Sequence, residues 1–297
     1  MLMPVYLDGR WIDDPERAAL PLDDPGVTQG AIVVETVRTF GRQPFRLDWH
    51  RPRLQKALAY FGMTELPGGV DFGALIGDLL SRLPDDDDVA AVVLVTPRPT
   101  LVCHARPLPL DRYRQWYAEG LTLAIPPTRH ASSLPRGFKH RSRLHWWKAD
   151  AEARAIDANA MAVLQDTDGV LTETAIGNLV AVRDGTLVLA DPVRVVEGAT
   201  LQAVRHIADR LGVECETADL RPDDLAACDE LWISSTGCCL APVKRVILDG
   251  EERDSEERDG EERVGEERVG DATFDAPPLW RRFADGWADA FGVDFRL

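Results

Sequence analysis

Two textures meet at Pro126-Pro127, and that junction limits what the chain can fold into more than any other feature. Upstream, β-branched runs alternate with a helical stripe. Val5 to Leu7 and Trp11 flank an Asp8-Gly9 turn, a hairpin signal, and Ala31 to Phe40 reads as a longer strand closed by Gly41. From His50 onward, Leu54, Ala57, Leu58 and Phe61 recur at spacings of three and four, which places one apolar face on a helix. Val89 to Val95 and Leu101 to His104 read as paired strands around a turn at Pro97 to Pro99. Downstream, a loop over 128–141 rich in Ser, Pro and Arg leads into a helix from about Ser142 to Ile156. Short strands follow at Ala160 to Leu164, Asn178 to Val182 and Thr186 to Leu189, broken by Asp168-Gly169 and Asp184-Gly185. Leu201, Val204, Ile207, Ala208 and Leu211 form a helical stripe ended by Gly212; Leu231 to Ser234 is a buried strand and Trp280 to Phe291 a closing helix. The mixture is an α+β pattern, and 297 residues, 45% of them apolar, suffice for two cores. The expected division is a small N-terminal domain over 1–122, an interdomain loop over 123–136 and a large domain over 137–297.

Charge narrows the function classes. With 50 acidic against 34 basic residues the net charge is −16, a surface that repels a phosphate backbone, so nucleic acid is not an expected partner. Six of those net charges fall in four acidic pentads over 251–270, EERDS, EERDG, EERVG and EERVG. Their period of five fits neither helix nor strand, so a solvated insertion is expected. Asp85 to Asp88 follow Pro84 and read as a loop, without the spacing of a calcium site. Cys103, Cys215, Cys228, Cys238 and Cys239 show no CxxC or metal-ligand spacing, so they read as buried free thiols, and no metal is expected. No stretch approaches the ~20 apolar residues of a membrane span, and the opening residues lack a basic segment followed by an apolar run. A cytoplasmic setting without membrane partners is the expectation.

Lysine is scarce. Only Lys56, Lys139, Lys148 and Lys244 occur, against 30 arginines. Lys139 stands out because it follows Gly137-Phe138 between the two textures, where ligand clefts form. Three other features admit both a structural and an anion-binding reading. Gly198-Ala199-Thr200 opens the striped helix, as a cap or as a cup of free N–H groups. Ser234-Ser235-Thr236-Gly237 leaves a buried strand with several hydroxyls, and Arg53 is a surface arginine or a phosphate clamp.

Taken together, six ordered blocks resemble the class IV, fold-type IV pyridoxal-phosphate aminotransferases, a family that includes branched-chain and D-amino-acid aminotransferases and aminodeoxychorismate lyase. The blocks are GAIVVETVR from Gly30 to Arg38, FRLDWHRPRL from Phe45 to Leu54, GFKHRSRL from Gly137 to Leu144, DGVLTETAIGNL from Asp168 to Leu179, EGATLQAV from Glu197 to Val204, and DELWISSTGCCLAPV from Asp229 to Val243. The resemblance implies a two-domain fold with a small α/β N-terminal domain and a larger β-barrel-like C-terminal domain with flanking helices. It implies pyridoxal 5′-phosphate as cofactor and homodimerisation. Lys139 matches the lysine that carries the cofactor as a Schiff base and shuttles the α-proton. Glu173 matches the carboxylate at the pyridine nitrogen, Arg53 the phosphate arginine of an H-x-x-R-L pattern, and Ala199, Thr200 and Thr236 the phosphate site. Arg143, Arg98 and Glu35 are the candidate substrate contacts.

Such a lysine must be neutral to attack and to accept a proton, which requires desolvation and nearby positive charge, for which Arg141 and Arg143 are placed in sequence. A carboxylate at the ring nitrogen keeps it protonated, so the ring accepts the electrons released with the α-proton. The expected activity is amino transfer from an amino acid to a 2-oxo acid. Lys139-His140 followed by Arg143-Leu144 is also similar to the aminodeoxychorismate lyases, which release pyruvate, and Ser142-Arg143-Leu144 stand where branched-chain enzymes carry a tyrosine. Arg98 and His104, six apart, differ from the close Arg and His pair of the D-amino-acid enzymes. A non-catalytic binding protein on the same scaffold is the third alternative. Cys238-Cys239 reads as packing beneath the cofactor loop.

Overall fold

A computed structural model describes residues 3–84, 88–130, 139–248, 271–275 and 277–297. The acidic pentads, Asp85 to Asp87 and most of the 128–141 loop lie outside these residues.

The first sheet is built from β1 (Val5–Leu7), β2 (Arg10–Ile12), β3 (Val33–Phe40), β4 (Gln43–Pro44), β5 (Val89–Val95) and β6 (Leu101–Pro107), in the order β2-β1-β6-β5-β3-β4. The β1–β2 hairpin turns on Asp8 and Gly9 with φ of +45° and +87°, the left-handed pair that a two-residue hairpin requires. Between these strands lie the short α1 (Pro25–Thr28), then α2 (Leu47–Tyr60) and α3 (Phe72–Arg82). α2 begins a turn earlier than the apolar stripe implies, and α3 had no place in the sequence reading. Leu54, Ala57, Leu58, Leu75, Ile76 and Leu79 pack on one face of the sheet.

The period of a strand divides β3 into two rows. Val33, Glu35 and Val37 face the small core, where Val33 and Val37 join its apolar cluster and Glu35 meets α2. Val34, Thr36 and Arg38 form the opposite row, where Thr36 meets Lys139 and Arg38 reaches Gly237. Because both rows are buried, β3 belongs to the core and to the site at once.

The second sheet contains β7 (Leu121–Ile125), β8 (Arg129–His130), β9 (Met161–Asp166), β10 (Leu171–Thr174), β11 (Asn178–Arg183), β12 (Thr186–Leu189), β13 (Cys215–Thr217), β14 (Glu230–Ser235), β15 (Cys239–Leu248) and β16 (Ala272–Thr273). Its central run β10-β9-β7-β15-β14-β11 closes on itself, because β10 also pairs β11 through Glu173 and Asn178. A six-stranded barrel results, with β7 parallel to β9 and β15. Flanking it are α4 (Leu110–Glu119), α5 (Leu144–Ile156), α6 (Ala199–Leu211) and α7 (Pro278–Phe291). Tyr113 and Trp116 of α4 pack into the barrel cluster, and β7 is one of its staves. We therefore place the domain division near Pro107, before the 123–136 loop. α7 is anchored where Glu230 accepts the Leu279 and Trp280 amides at 2.7 and 3.0 Å and the Trp232 indole at 2.8 Å. These bonds satisfy N–H groups that a helix start otherwise leaves open.

Candidate active site

Pairing with the start of β3 brings Lys139 into place, with the Val34 amide donating to the Lys139 carbonyl at 3.0 Å and the Arg141 amide to the Ile32 carbonyl at 2.9 Å. The side chain then turns into a pocket that Arg53, Arg143, Glu173, Asn178, Gly198, Thr200, Ser234, Ser235 and Thr236 also line. Lys139 Nζ lies 3.4 Å from Thr36 Oγ1. Burial first, then the Arg53 guanidinium, with Arg141 and Arg143 adding, push the amine down from 10.5 to about 7 against the pull of Glu35. The amine is thus largely neutral just above neutral pH, as a nucleophile and base must be.

Arg53 is held by Glu35. Arg53 Nε donates to Oε1 at 2.6 Å and Nη2 to Oε2 at 2.7 Å, while Nη1 donates to the Glu197 carbonyl at 3.1 Å. His50 Nδ1 donates to the same Glu35 carboxylate at 3.0 Å. Burial alone raises a carboxyl pKa, but Arg53 and His50 hold Glu35 well below the usual carboxylate range. Burial, joined by the charges of Arg53 and Lys139, pushes His50 below its ordinary value despite Glu35, so the ring stays neutral. Glu35 therefore orients Arg53 from behind. Sequence reading placed it as a substrate contact, whereas its side chain is 1% exposed and spent on the α2 partners.

On the barrel side, Glu173 occupies the single residue pair that closes the ring. Asn178 Nδ2 and the Val196 amide each approach Glu173 Oε2 at 3.3 Å, and Asn178 Nδ2 also donates to the Val196 carbonyl at 2.8 Å. The α6 N-terminus opens toward this pocket at Gly198 without a side-chain cap. A Cβ at Gly198 would stand 2.7 Å from Asn178 Oδ1, so the close approach of the helix start requires glycine. Thr200 and Thr236 add hydroxyls, and Ser234 Oγ is buried without a hydrogen-bond partner among the described residues. Uncapped amides, hydroxyls and an oriented guanidinium form a set of donors suited to a phosphate group.

Arg143 lines the pocket, donates Nη2 to the Ala175 carbonyl and stands 5.7 Å over the Trp146 ring. Ala199, the buried first residue of α6, contributes backbone and packing. Arg98 is elsewhere: it sits on the exposed β5–β6 turn, ion-paired with Asp23 at 2.6 Å. Sequence reasoning missed Thr36 and Asn178, while Ser234 stood within the Ser234-Ser235-Thr236-Gly237 stretch that the sequence offers. The strand alternation through Glu35 was the available signal for Thr36. Of the cysteines, Cys103, Cys238 and Cys239 are buried and Cys228 half-buried, but Cys215 is exposed on β13, contrary to the expected burial. Ala175 and Ile176 also border a second cavity of about 610 Å³, reached past Thr36 and Gly237 and lined by Arg106, Arg112, Arg154 and Lys244.

Comparison with known proteins places this geometry. The amino-transferase class IV family model matches residues 32–246. An aminodeoxychorismate lyase of Bacillus subtilis (strain 168) is 24% identical over 266 residues, covering 82% of this chain and 86% of the relative. A D-alanine aminotransferase of Bacillus licheniformis is 23% identical over 276 residues, covering 84% and 89%. The branched-chain aminotransferase of Thermoproteus uzoniensis, solved with norvaline, superposes with a TM-score of 0.78 at 21% identity, covering 96% of this chain and 93% of that one. With most of its length inside the family model, and a barrel whose closing pair carries Glu173 in the pocket that Lys139 also lines, the chain belongs to the class IV aminotransferases.

Proposed function

We propose that the protein is a pyridoxal 5′-phosphate-dependent aminotransferase that moves an amino group from an amino acid to a 2-oxo acid. The observation that carries this reading is the convergence of Lys139, Arg53, Glu173, Thr200 and Thr236 on one pocket in which the lysine is held near neutrality. Arg53, the open N-terminus of α6 and the hydroxyls of Thr200 and Thr236 would hold the phosphate. Glu173 would keep a proton at the pyridine nitrogen. When bound, the cofactor supplies the electron sink for the pair left by the departing α-proton. The Lys139 amine takes that proton and returns it, and Arg53, held permanently charged by Glu35, keeps the amine from being protonated first. Thr36 Oγ1 limits where Nζ swings. Arg143 stands at the boundary of the pocket, and Arg106, Arg112, Arg154 and Lys244 favour reactants with negative charge away from the reacting carbon.

A lyase that eliminates pyruvate is the second reading, supported by the B. subtilis relative and by the Lys139-His140 and Arg143-Leu144 run. Both readings share every pocket residue. A panel of amino donors and 2-oxo acceptors, with aminodeoxychorismate included, separates them: amino transfer requires an acceptor, whereas release of pyruvate without one overturns the first reading. Failure to take up pyridoxal 5′-phosphate leaves only the non-catalytic scaffold. We also propose a homodimer. Leu144 and Trp147, 78% and 68% exposed, put an apolar patch on α5 beside the site, and light scattering checks the mass. No helix among the described residues is long and apolar enough to cross a membrane.

A further inference from the structure

Arg38 is a buried cation on which Asp88 acts only from beyond ion-pair distance. It is 3% exposed, and no carboxylate lies within ion-pair distance of it among the described residues. Its Nη1 donates to the Gly237 carbonyl at 2.5 Å and lies 3.5 Å from Cys239 Sγ, its Cζ stands 4.3 Å over the Phe40 ring, and its Nε has no hydrogen-bond partner among the described residues. Burying a charge this way is costly unless the position serves a purpose.

The target of the guanidinium is the hairpin loop Thr236–Gly237–Cys238 between β14 and β15. Ser235 and Thr236 line the cofactor pocket and Gly237 lines the large cavity, so this loop is the wall between them. Its backbone is demanding. Cys239 takes φ +55°, where hairpins of this length favour glycine, and any side chain at Gly237 would collide with the Tyr113 hydroxyl. Tyr117 Oη donates to the Cys238 carbonyl at 2.7 Å. Two donors from outside the hairpin thus fix two successive carbonyls, and because a trans peptide points its N–H opposite its C=O, they also fix the amides that follow. Arg38 alone among them comes from the small sheet. In that sheet it neighbours Ala90, which in turn neighbours Arg106.

We infer that Arg38 is the positioning residue of this wall: reaching across from β3, it sets the Thr236–Cys238 loop so that cofactor and substrate find their two sides of it already formed. The inference rests on the proposed cofactor and reaction. Its charge and its fork are separable, since lysine keeps the first and methionine neither.

The test compares wild type, Arg38→Met and Arg38→Lys by pyridoxal 5′-phosphate Kd, by KM and kcat with the best donor, and by Tm. Arg38→Met should raise Kd and KM about tenfold, the value of one charged hydrogen bond, and change kcat less, while Tm holds or rises as a buried charge with no carboxylate in ion-pair distance among the described residues is removed. Arg38→Lys should recover part of the loss. A Tm that falls while Kd and KM stay within about twofold overturns the inference, since that pattern marks packing alone. If Arg38→Met does not fold, Arg38→Lys decides by the same two constants. If the wild type binds no pyridoxal 5′-phosphate, the functional reading fails by itself. Hydrogen exchange of the 236–239 amides in the cofactor-free variants then judges Arg38: faster exchange upholds it and unchanged exchange overturns it.

Discussion

The two walls that face each other across Lys139 are finished to different degrees. On the small-sheet wall, three short contacts join Glu35, His50 and Arg53 in a region almost closed to water, and Arg53 Nη1 turns to the Glu197 carbonyl. On the barrel wall, the start of α6 is uncapped and Ser234 Oγ has no partner among the described residues. One wall holds an ion network already formed within the polypeptide, with N–H groups of Arg53 to spare; the other is a set of donors that an incoming anion completes. Such a division lets the protein keep a permanent cation beside the lysine while reserving its open hydrogen bonds for the cofactor.

Lys139 stands between the walls, and removing it should have the largest effect. Lys139→Ala is expected to lower turnover by about a thousandfold or more, because both the attachment point and the proton carrier are lost. In the cofactor-free wild type, capture of pyridoxal 5′-phosphate should accelerate as pH rises through about 7, where the amine loses its proton. The stability sign follows from linkage. Between about pH 7 and 10.5 the unfolded lysine binds a proton that the native one does not, so this group's contribution to stability improves with rising pH across that window. The difference in stability between wild type and Lys139→Met, followed by denaturant titration, should show that slope. A flat difference would place the amine at its ordinary value and remove the closed wall's influence on it.

The closed wall itself is broken by Glu35→Gln. With Arg53 and Glu35 side chains 9% and 1% exposed, losing one partner leaves a buried charge uncompensated, and about 3 kcal/mol or more of stability should go with it. Glu35 titrates well below the ordinary 4.5, so the deficit is full above that value and disappears as acid protonates the wild-type carboxylate. Denaturant midpoints at neutral and low pH check both statements. An unchanged midpoint at neutral pH would mean that the network is ornamental to folding and that the two walls differ less than their hydrogen bonds suggest.

Legibility from sequence followed the same division. The strands and helices around Leu54, Leu201 and Val92 were readable because periodicity and burial agree there, and α3 escaped because its stripe was passed over between two acidic and proline-rich segments. The ordered blocks singled out Lys139, Arg53, Glu173, Thr200 and Thr236, which line one pocket from α2, β10, the start of α6 and two loops. Glu35 was assigned to the wrong side of the arginine, since a strand residue's two possible faces look alike in one dimension and only its partners on α2 tell them apart. Arg98 looked useful by charge alone and is taken up by Asp23 on an exposed turn. The boundary at 122 failed to register that α4 belongs to the barrel, because an amphipathic helix does not state which sheet it covers.

On the open wall, substitutions should act on the cofactor and spare the fold. Thr200 is 5% exposed, yet it does not cap α6, so Thr200→Val should leave the stability of the cofactor-free protein within about 1 kcal/mol. Its affinity for pyridoxal 5′-phosphate should fall about tenfold, as one charged hydrogen bond is lost. Equal losses in both quantities would mean that the hydroxyl already serves the polypeptide.

Ser234→Ala should give the smallest change and the sharpest sign. In the cofactor-free protein its hydroxyl has left water for a place among buried groups without gaining a partner among the described residues, so alanine relieves a desolvation cost, by up to about 1 kcal/mol. When the cofactor is present the same hydroxyl has something to bond, and the variant should bind it a few-fold more weakly. Opposite signs for stability and affinity in one substitution are what an unfinished wall requires, because the same atom is a burden before binding and a contact afterwards. Thermal unfolding with and without pyridoxal 5′-phosphate reads both signs in a single experiment. A variant that is destabilised in both states would show that Ser234 is already satisfied, and the contrast between the two walls would narrow to the helix start alone.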